Sequence, residues 1–297
     1  MQQEPQAQLA QPAIDAPPVI PPASWQPNDA IAPDAVQAEQ RKERGLWAWS
    51  LVDGAIMLVI ILLLSIPLLG YFLYADGVFN QPFGSAAFQQ GLLDTATSLQ
   101  TTPSRFFAAF VAQSLGMAGI VALRVRLLRR LPWAWLGVTL QRFGRNLAFG
   151  VGLGALTFVA NLALGAIFER LGQRSNQSDL FPIRAGDWGG AALVFIAGAI
   201  LAPIVEELFF RGYVFKAWLV RWGAPTAYLV SAAIFAVPHL AGITQGQWSL
   251  LIPIFLIGLL FAWGFHRTRS LVPAIVAHAI NNGIGLAALI IEKNTGG

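Results

Sequence analysis

Long apolar runs separated by short polar patches make up most of the chain after residue 45. A helix of about 20 apolar residues is long enough to cross the hydrocarbon core of a bilayer. The pattern therefore predicts an all-α, polytopic integral membrane protein with about seven transmembrane helices, within a range of six to eight. The predicted spans are about 46–74, 105–123, 147–168, 189–222, 226–241, 249–265 and 271–291.

Three polar features between and within these spans affect the count. The segment 75–103 has Asp76 and Asp94 but no Lys or Arg, which indicates an external loop with room for a re-entrant piece. Residues 131–145 mix tryptophans with arginines and are interpreted as an interfacial stretch. Asp53, near the inner end of the first span, is also interpreted as interfacial.

The N-terminal segment 1–40 has a different composition. It contains eight of the 18 prolines, many Gln and Ala residues, five acidic residues and no Lys or Arg. Such a segment cannot bury enough apolar surface to offset the entropy of ordering, so we predict a disordered, Pro/Ala/Gln-rich cytoplasmic tail. It has no basic region followed by an apolar region, as a signal peptide would. Residues 41–297 are then the transmembrane domain.

Basic residues lie at alternate ends of the predicted spans, and this bias sets the orientation. With the N-terminus in the cytoplasm and the C-terminus outside, every basic patch is internal. Short loops and the Ala/Pro/Gln-rich tail are typical of a bacterial inner-membrane protein. The patches are Arg41–Arg44 before the first span, Arg124–Arg130 after the second, Lys216 and Arg221 in the fourth, and His266–Arg269 before the last.

Composition and charge agree with a membrane protein. The 297 residues are 56% hydrophobic and 11% charged, whereas soluble domains have roughly 25% charged residues. The net charge of +4 comes from basic residues beside apolar runs, so the expected partner is the lipid bilayer and not nucleic acid. The chain has no cysteine, which excludes a thiol nucleophile and a zinc–thiolate site.

A few ionisable residues lie inside the apolar runs. A charge at the centre of a bilayer costs at least about 2.5–3.5 kcal/mol on insertion scales, so such residues are functional candidates. They occur on three different spans of the C-terminal half. They are Glu206, Glu207 and Arg211 on the fourth span, His239 on the fifth, and His278 with Asn282 on the seventh.

Helical spacing separates these residues into roles. Residues four apart share a face of a helix, so Glu207 and Arg211 are expected to pair. Glu206 points about 100° away and has no cation nearby in sequence, which suits a general base. His278 and Asn282 are also four apart and present the kind of donors that stabilise an oxyanion.

Each feature also has a structural explanation. A Glu–Arg pair can clamp helices, a buried histidine can be a satisfied core residue, and an Asn can join two membrane helices. His239 lies four residues after Phe235, whose ring is expected to pack beside the imidazole. Three different helices each supply a polar group that is costly to bury, which predicts an intramembrane site. From the residues alone, this site could be catalytic or part of an ion pathway.

The three motifs together resemble a known signature. EExxxR at 206–211, FxxxH at 235–239 and HxxxN at 278–282 are similar, in order and spacing, to the motifs of the CPBP family of intramembrane proteases. This family includes CAAX prenyl proteases and bacteriocin-processing proteins, also called Abi proteins. The resemblance covers about 189–291, which we take as the catalytic core, and the helices before it are merely compatible with the family.

The resemblance implies an endopeptidase that hydrolyses a peptide bond in a membrane cavity open to the cytoplasm. Glu206 with His239 would activate a water, and His278 with Asn282 would hold the oxyanion. A supporting shell would surround these four residues. Its members would be Glu207, Arg211 and Phe235. The substrate would be a peptide or a membrane-associated protein.

The family is often described as metalloproteases. A zinc or other divalent ion held by Glu206, His239 and His278 is chemically reasonable, because a carboxylate and two imidazoles leave one open position. No HExxH helix is present in the sequence. We therefore favour direct activation of water without a cofactor.

Two other classes of function compete with a protease. The first is a non-catalytic membrane scaffold or immunity protein that keeps the motifs for packing. The second is a proton-coupled transporter that uses Glu206 and the histidines as a relay. A transporter of this kind is expected to have paired repeats with broken helices in both halves. The sequence shows no internal repeat.

Overall fold

The computed structural model describes residues 43, 45–172, 181–240 and 251–295, and for 57, 58, 60–62, 64, 65 and 240 it describes the backbone alone. Every regular element in these residues is a helix. The predicted disordered tail, 1–40, lies outside the described residues, as do the last residue of the predicted span 226–241 and the first two of 249–265.

The described residues form eight helices. Three short 3₁₀ helices accompany them at Val78–Asn80, Trp133–Leu136 and Val237–Leu240. The helices are α1 (Leu46–Ala75), α2 (Ala86–Thr101), α3 (Pro103–Val121, with π-helical turns to Leu128), α4 (Phe143–Arg170), α5 (188–222), α6 (224–236), α7 (Leu251–Thr268) and α8 (Val272–Thr295).

The helix starts follow the local sequence. The Ser85 hydroxyl accepts from the backbone N–H of Phe88 at 3.1 Å and caps α2. Pro103 opens α3, where its missing N–H costs nothing. The Asp187 carboxylate accepts from the N–H of Gly190 at 2.8 Å and caps α5.

Helix α5 alternates between two helical geometries. It is α-helical over Trp188–Phe195 and again over Ala202–Glu207, and π-helical over Ile196–Leu201 and Leu208–Phe215. π-helical turns are rare and often occur at functional sites. The pair of adjacent glutamates at 206 and 207 therefore lies on a short α-helical step between two π-helical segments.

Gly223 separates α5 from α6. The helix Lys216–Ala236 is interrupted there by φ 77° and ψ 177°, a conformation that glycine adopts readily and other residues avoid. Pro225 follows, and a proline near the start of a helix is well tolerated. The chain thus turns between the fourth and fifth predicted spans.

The prediction of an all-α polytopic membrane protein is confirmed. Five helical stretches are long and apolar enough to cross a membrane, and the 52-residue stretch among them, Trp188–His239, contains the break at Gly223. With the 30-residue helix α1, these stretches correspond to all seven predicted spans. The five are Pro103–Leu128, Phe143–Arg170, Trp188–His239, Leu251–Thr268 and Val272–Thr295.

Two connecting segments have structure that the sequence did not predict. The segment 75–103 contains a regular 16-residue helix, α2, which its modest hydrophobicity did not reveal. In the segment 131–145, whose interfacial position stays a prediction, Leu136 is fully buried and Trp135 is 6% exposed. A Cβ atom at Gly212 would lie 2.9 Å from the Leu136 carbonyl oxygen, so this segment packs directly against α5.

The interfacial depth of Asp53 stays a prediction, but the structure gives this residue partners that the sequence did not suggest. Its side chain is fully buried and accepts two hydrogen bonds from Arg124, at 2.7 and 2.6 Å. The hydroxyl of Tyr213 also donates to it. Both partners are distant in sequence, so the local pattern gave no sign that this carboxylate joins α1, α3 and α5.

Helix α8 is held closely against α4. A Cβ atom on Gly150 would lie 2.9 Å from Val276 and 3.0 Å from Pro273, so only glycine permits this approach. Gly154 makes a similar contact with Ile280 one turn later. Small residues four apart allow membrane helices to pack this tightly, and the contact fixes the face of α8 that carries His278.

Candidate active site

The core of the candidate site is an ion pair inside α5. Arg211 Nη1 donates to Glu207 Oε1 at 2.8 Å, and both side chains are fully buried. The spacing of four residues predicted this pair, and the structure contains it. Arg211 Nη2 also donates to the carbonyl oxygen of Gly258 on α7 at 3.1 Å, so the pair links α5 to α7.

Aromatic rings surround the guanidinium group. The Arg211 Cζ atom lies 4.2 Å from the ring centroid of Phe235 and 5.4 Å from that of Phe261. Cation–π contacts of this kind stabilise a cation that has lost its water. Phe235 therefore contributes more than the predicted packing beside His239, whose ring centroid is 5.9 Å away.

His278 joins this cluster from α8. Its Nδ1 atom lies 3.0 Å from Glu207 Oε1, and the ring stacks on Phe261 with a centroid distance of 5.1 Å. An ionised carboxylate only accepts hydrogen bonds, so Nδ1 must be the donor. The residue is 5% exposed, and this contact fixes both the orientation of the ring and the side on which Nε2 lies.

The two adjacent glutamates have different surroundings. Glu207 Oε1 accepts from two cationic or polar partners and the side chain has no exposed surface. The Glu206 side chain is 19% exposed, and Nε2 of His278 lies 4.0 Å from its Oε2. That distance exceeds a hydrogen bond, and a polar contact of this length is one that a water can complete.

His239 lies at the end of α6, in the 3₁₀ turn Val237–Leu240, and is exposed. Its Nδ1 atom is 3.3 Å from the carbonyl oxygen of Phe235, which permits a weak hydrogen bond if Nδ1 carries the proton. The Phe235 ring also contacts His278, with a centroid distance of 5.7 Å. One phenyl group therefore borders both imidazoles, although the described residues include no hydrogen bond between His239 and Glu206.

Asn282 lies one turn after His278 and reaches α5. Its Nδ2 donates to the carbonyl oxygen of Gly198 at 2.8 Å, inside the π-helical segment Ile196–Leu201. An amide nitrogen has two donor hydrogens, so one remains for another acceptor. The neighbouring Asn281 points to α4 instead, where it donates to the Thr157 hydroxyl.

The three proposed metal ligands, Glu206, His239 and His278, do not converge on one point. Among the residues that the structure describes, no three His, Cys, Asp or Glu side chains come together in a way that could hold a metal ion. Nε2 of His278 lies 4.0 Å from Glu206 Oε2, and Nδ1 of the same ring is held by Glu207. As placed, these side chains do not form a metal site, and no chemical step below depends on one.

The main contacts missed from the sequence join different helices. The bond between His278 and Glu207 spans 71 residues, and Phe261 and Gly258 on α7 lie in a span without an ionisable residue before His266. Position 258 suits a glycine because a Cβ there would make a tight contact with Ala232, at 3.2 Å. The glycine itself was the single local signal of close packing at this point.

The fold and this cluster define a class: a polytopic α-helical membrane protein with a buried Glu–Arg–His group in its C-terminal helices. Residues 188–284 match the family model described as type II CAAX prenyl endopeptidase Rce1-like. The match confirms the resemblance to the CPBP proteases that the three motifs predicted. The matched range contains all seven residues predicted for the site.

Two proteins of Lactococcus lactis subsp. lactis (strain IL1403) are similar to this chain. UPF0177 protein YxdF is 28% identical over 90 residues, which are 30% of this chain and 46% of the relative. UPF0177 protein YbdI is 31% identical over 101 residues, 33% of this chain and 49% of the relative. The chain thus spans about half the length of the curated relatives it matches. No solved structure gives a significant match.

Proposed function

We propose that this protein is an intramembrane endopeptidase in which Glu206 is the general base. The observation that carries the proposal is the contrast between two adjacent carboxylates. Glu207 is fully buried and neutralised by Arg211, whereas Glu206 is partly exposed and faces Nε2 of His278 at 4.0 Å. Hydrolysis by an activated water needs a carboxylate that is free to take a proton, with an imidazole beside it. Glu206 and His278 supply these groups, and the Glu207–Arg211 pair supports the structure around them.

In the proposed reaction Glu206 takes a proton from a water, and the hydroxide attacks the carbonyl carbon of the scissile peptide bond. When the C–N bond breaks, the protonated Glu206 returns that proton to the departing amine, which leaves a carboxylic acid and a free amine, and the acid then ionises in water. The family resemblance assigns His239 a part in positioning the water. The contact of Phe235 with both imidazoles supports a place for His239 beside the site.

The oxyanion formed by this attack needs hydrogen-bond donors. His278 acts as an imidazolium in the proposal: Glu207 accepts from Nδ1–H and stabilises the positive charge, and Nε2–H donates to the oxyanion. The second hydrogen of the Asn282 amide is the other donor. The hydrogen bond from Asn282 to the Gly198 carbonyl would hold that amide in place.

The remaining parts of the proposal follow from charge and family. The cavity opens to the cytoplasm, the N-terminus is cytoplasmic, and the protein lies in a bacterial inner membrane. The substrate is a peptide or a membrane-associated protein, and the catalytic core is about 189–291. The reaction proceeds without a metal.

The test compares the full chain, purified in detergent, with two variants that each remove one carboxylate. Glu206→Gln removes the proposed base, and Glu292→Gln removes an exposed carboxylate near the end of α8. Cleavage of a peptide library is measured with and without a strong chelator, and size-exclusion profiles check folding. We expect Glu206→Gln to abolish cleavage, and Glu292→Gln and the chelator to leave it unchanged.

Two results would change this assignment. Loss of cleavage on chelation, restored by added zinc, would make the protein a metalloprotease. A folded wild-type protein that cleaves nothing, with Glu206→Gln changing only its stability, would favour the non-catalytic scaffold.

A further inference from the structure

A cavity lies away from the candidate active site, where the start of α4 meets the turn between α7 and α8. Its volume is about 520 Å³. The cavity is at the arginine-rich end of the bundle, the end that also contains the α3–α4 connection. The residues that line it are Arg142, Arg145, Asn146, Phe149, Arg267 and Thr268.

Three of the six lining side chains are arginines and none is acidic. Three arginines elsewhere in the bundle form ion pairs: Arg105 with Asp76, Arg124 with Asp53, and Arg211 with Glu207. Among the described residues, by contrast, no ion pair includes an arginine of this cavity. The cavity therefore concentrates positive charge that no carboxylate of the described residues pairs with.

The first turn of α4 adds to this positive field. The helix begins at Phe143 without a side-chain cap and without an acidic residue in its first turn. The N-terminus of a long helix carries a partial positive charge and unpaired N–H groups, which attract anions. Arg142, directly before the helix, has φ 54°, a backbone conformation that is uncommon for an arginine.

One wall of the cavity is aromatic. Phe149 lies in the lining, and its ring packs against Trp263 with a centroid distance of 5.3 Å. Trp263 is 42% exposed on the outside of α7. Tryptophans at this position are typical of the level where headgroups meet acyl chains. A cationic cavity beside an aromatic outer surface matches a ligand with an anionic head and an apolar body.

We infer that this cavity binds a phosphate ester, with the headgroup of an anionic glycerophospholipid as the ligand that the aromatic wall favours. Arginine guanidinium groups bind phosphate through paired hydrogen bonds, and the N-terminus of α4 adds a further attraction. A soluble glycerol phosphate offers the same anionic group without the acyl chains, so the two sources can be separated by experiment. The inference is independent of the proposed peptidase activity.

The test measures binding to the full chain in detergent by native mass spectrometry. The probes are phosphatidylglycerol, the zwitterionic phosphatidylcholine and soluble sn-glycerol 1-phosphate. Arg145→Gln with Arg267→Gln removes two of the three cations from the cavity. Arg221→Gln removes an exposed cation from the same end of the bundle without touching the cavity, and serves as the control.

We expect the wild-type protein to bind phosphatidylglycerol more tightly than phosphatidylcholine. The double variant should bind phosphatidylglycerol about thirtyfold more weakly, since each basic residue near an anionic surface contributes roughly a fivefold to sixfold gain. The control should bind like wild type. Strong binding of sn-glycerol 1-phosphate would support a phosphate-ester site but would indicate a soluble ester, and not a lipid, as its ligand. Equal binding of both lipids, or an unaffected double variant, would overturn the inference.

Discussion

Replacing Glu207 with leucine should destabilise the bundle severely, because it leaves a buried cation without its partner. Arg211 would retain the Gly258 carbonyl and the two phenyl rings, but no negative charge. Breaking a buried ion pair by removing one partner costs about 3–5 kcal/mol. The Nδ1 atom of His278 would lose its acceptor as well.

The size of the expected loss of stability follows from the hydrogen bonds that Glu207 accepts. Its Oε1 atom receives one hydrogen bond of 2.8 Å and another of 3.0 Å. Hydrogen bonds to charged groups contribute about 1.5–3 kcal/mol each, which gives about 3–6 kcal/mol for two. Neutral hydrogen bonds between membrane helices average only about 0.6 kcal/mol. If Glu207 and Arg211 are charged, the expected loss of unfolding free energy is therefore several times larger than for a neutral hydrogen-bonded pair.

The assay is reversible unfolding of the full chain in mixed micelles, followed through the fluorescence of the tryptophans. Glu206→Leu is the matched control, since the neighbouring carboxylate has no ion-pair partner in α5. A further variant, Glu207→Leu with Arg211→Met, removes both charges and should recover part of the lost stability. A loss of about 1 kcal/mol or less in Glu207→Leu, or a double variant less stable than the single one, would refute the reasoning.

Three further predictions use other parts of the structure. Gly150→Leu should lower stability by about 1–3 kcal/mol in the same unfolding assay, because α8 leaves no room for a side chain. Asn282→Ala should lower kcat about 10²–10³-fold, whereas Asn281→Ala should lower stability and spare turnover. The hydrogen bond from Arg105 lowers the pKa of Asp76 to about 2, so the ionised Asp76 should stabilise the fold above pH 4. This stabilisation should be lost as the pH falls through 2, and Asp76→Asn should lack it at every pH.

The helices were predictable because the length of an apolar run is a local property of the sequence. All seven predicted spans have a helical counterpart, and the break at Gly223 lies between two of them. Helix α2 was not predicted, since its composition is close to that of a polar loop. The π-helical turns of α5 were also missed, because the hydrophobic pattern does not separate π-helical from α-helical turns.

Within the candidate site, contacts inside one helix could be predicted and contacts between helices could not. The pair of Glu207 and Arg211 follows directly from a spacing of four residues. The contact of His278 with Glu207 needs the relative depth and rotation of α5 and α8, which sequence spacing does not determine. The assigned roles of these residues remain predictions until cleavage is measured.

The buried contact of Asp53 with Arg124 also constrains how the chain enters the membrane during synthesis. Either charge alone would be costly to bury, and the two pair only when α1 and α3 lie side by side. The arginine emerges from the ribosome 71 residues after the aspartate, and Tyr213 emerges 160 residues after it. The first helix is therefore matched in charge once α3 arrives, and its hydrogen bonding is completed only when α5 has been made.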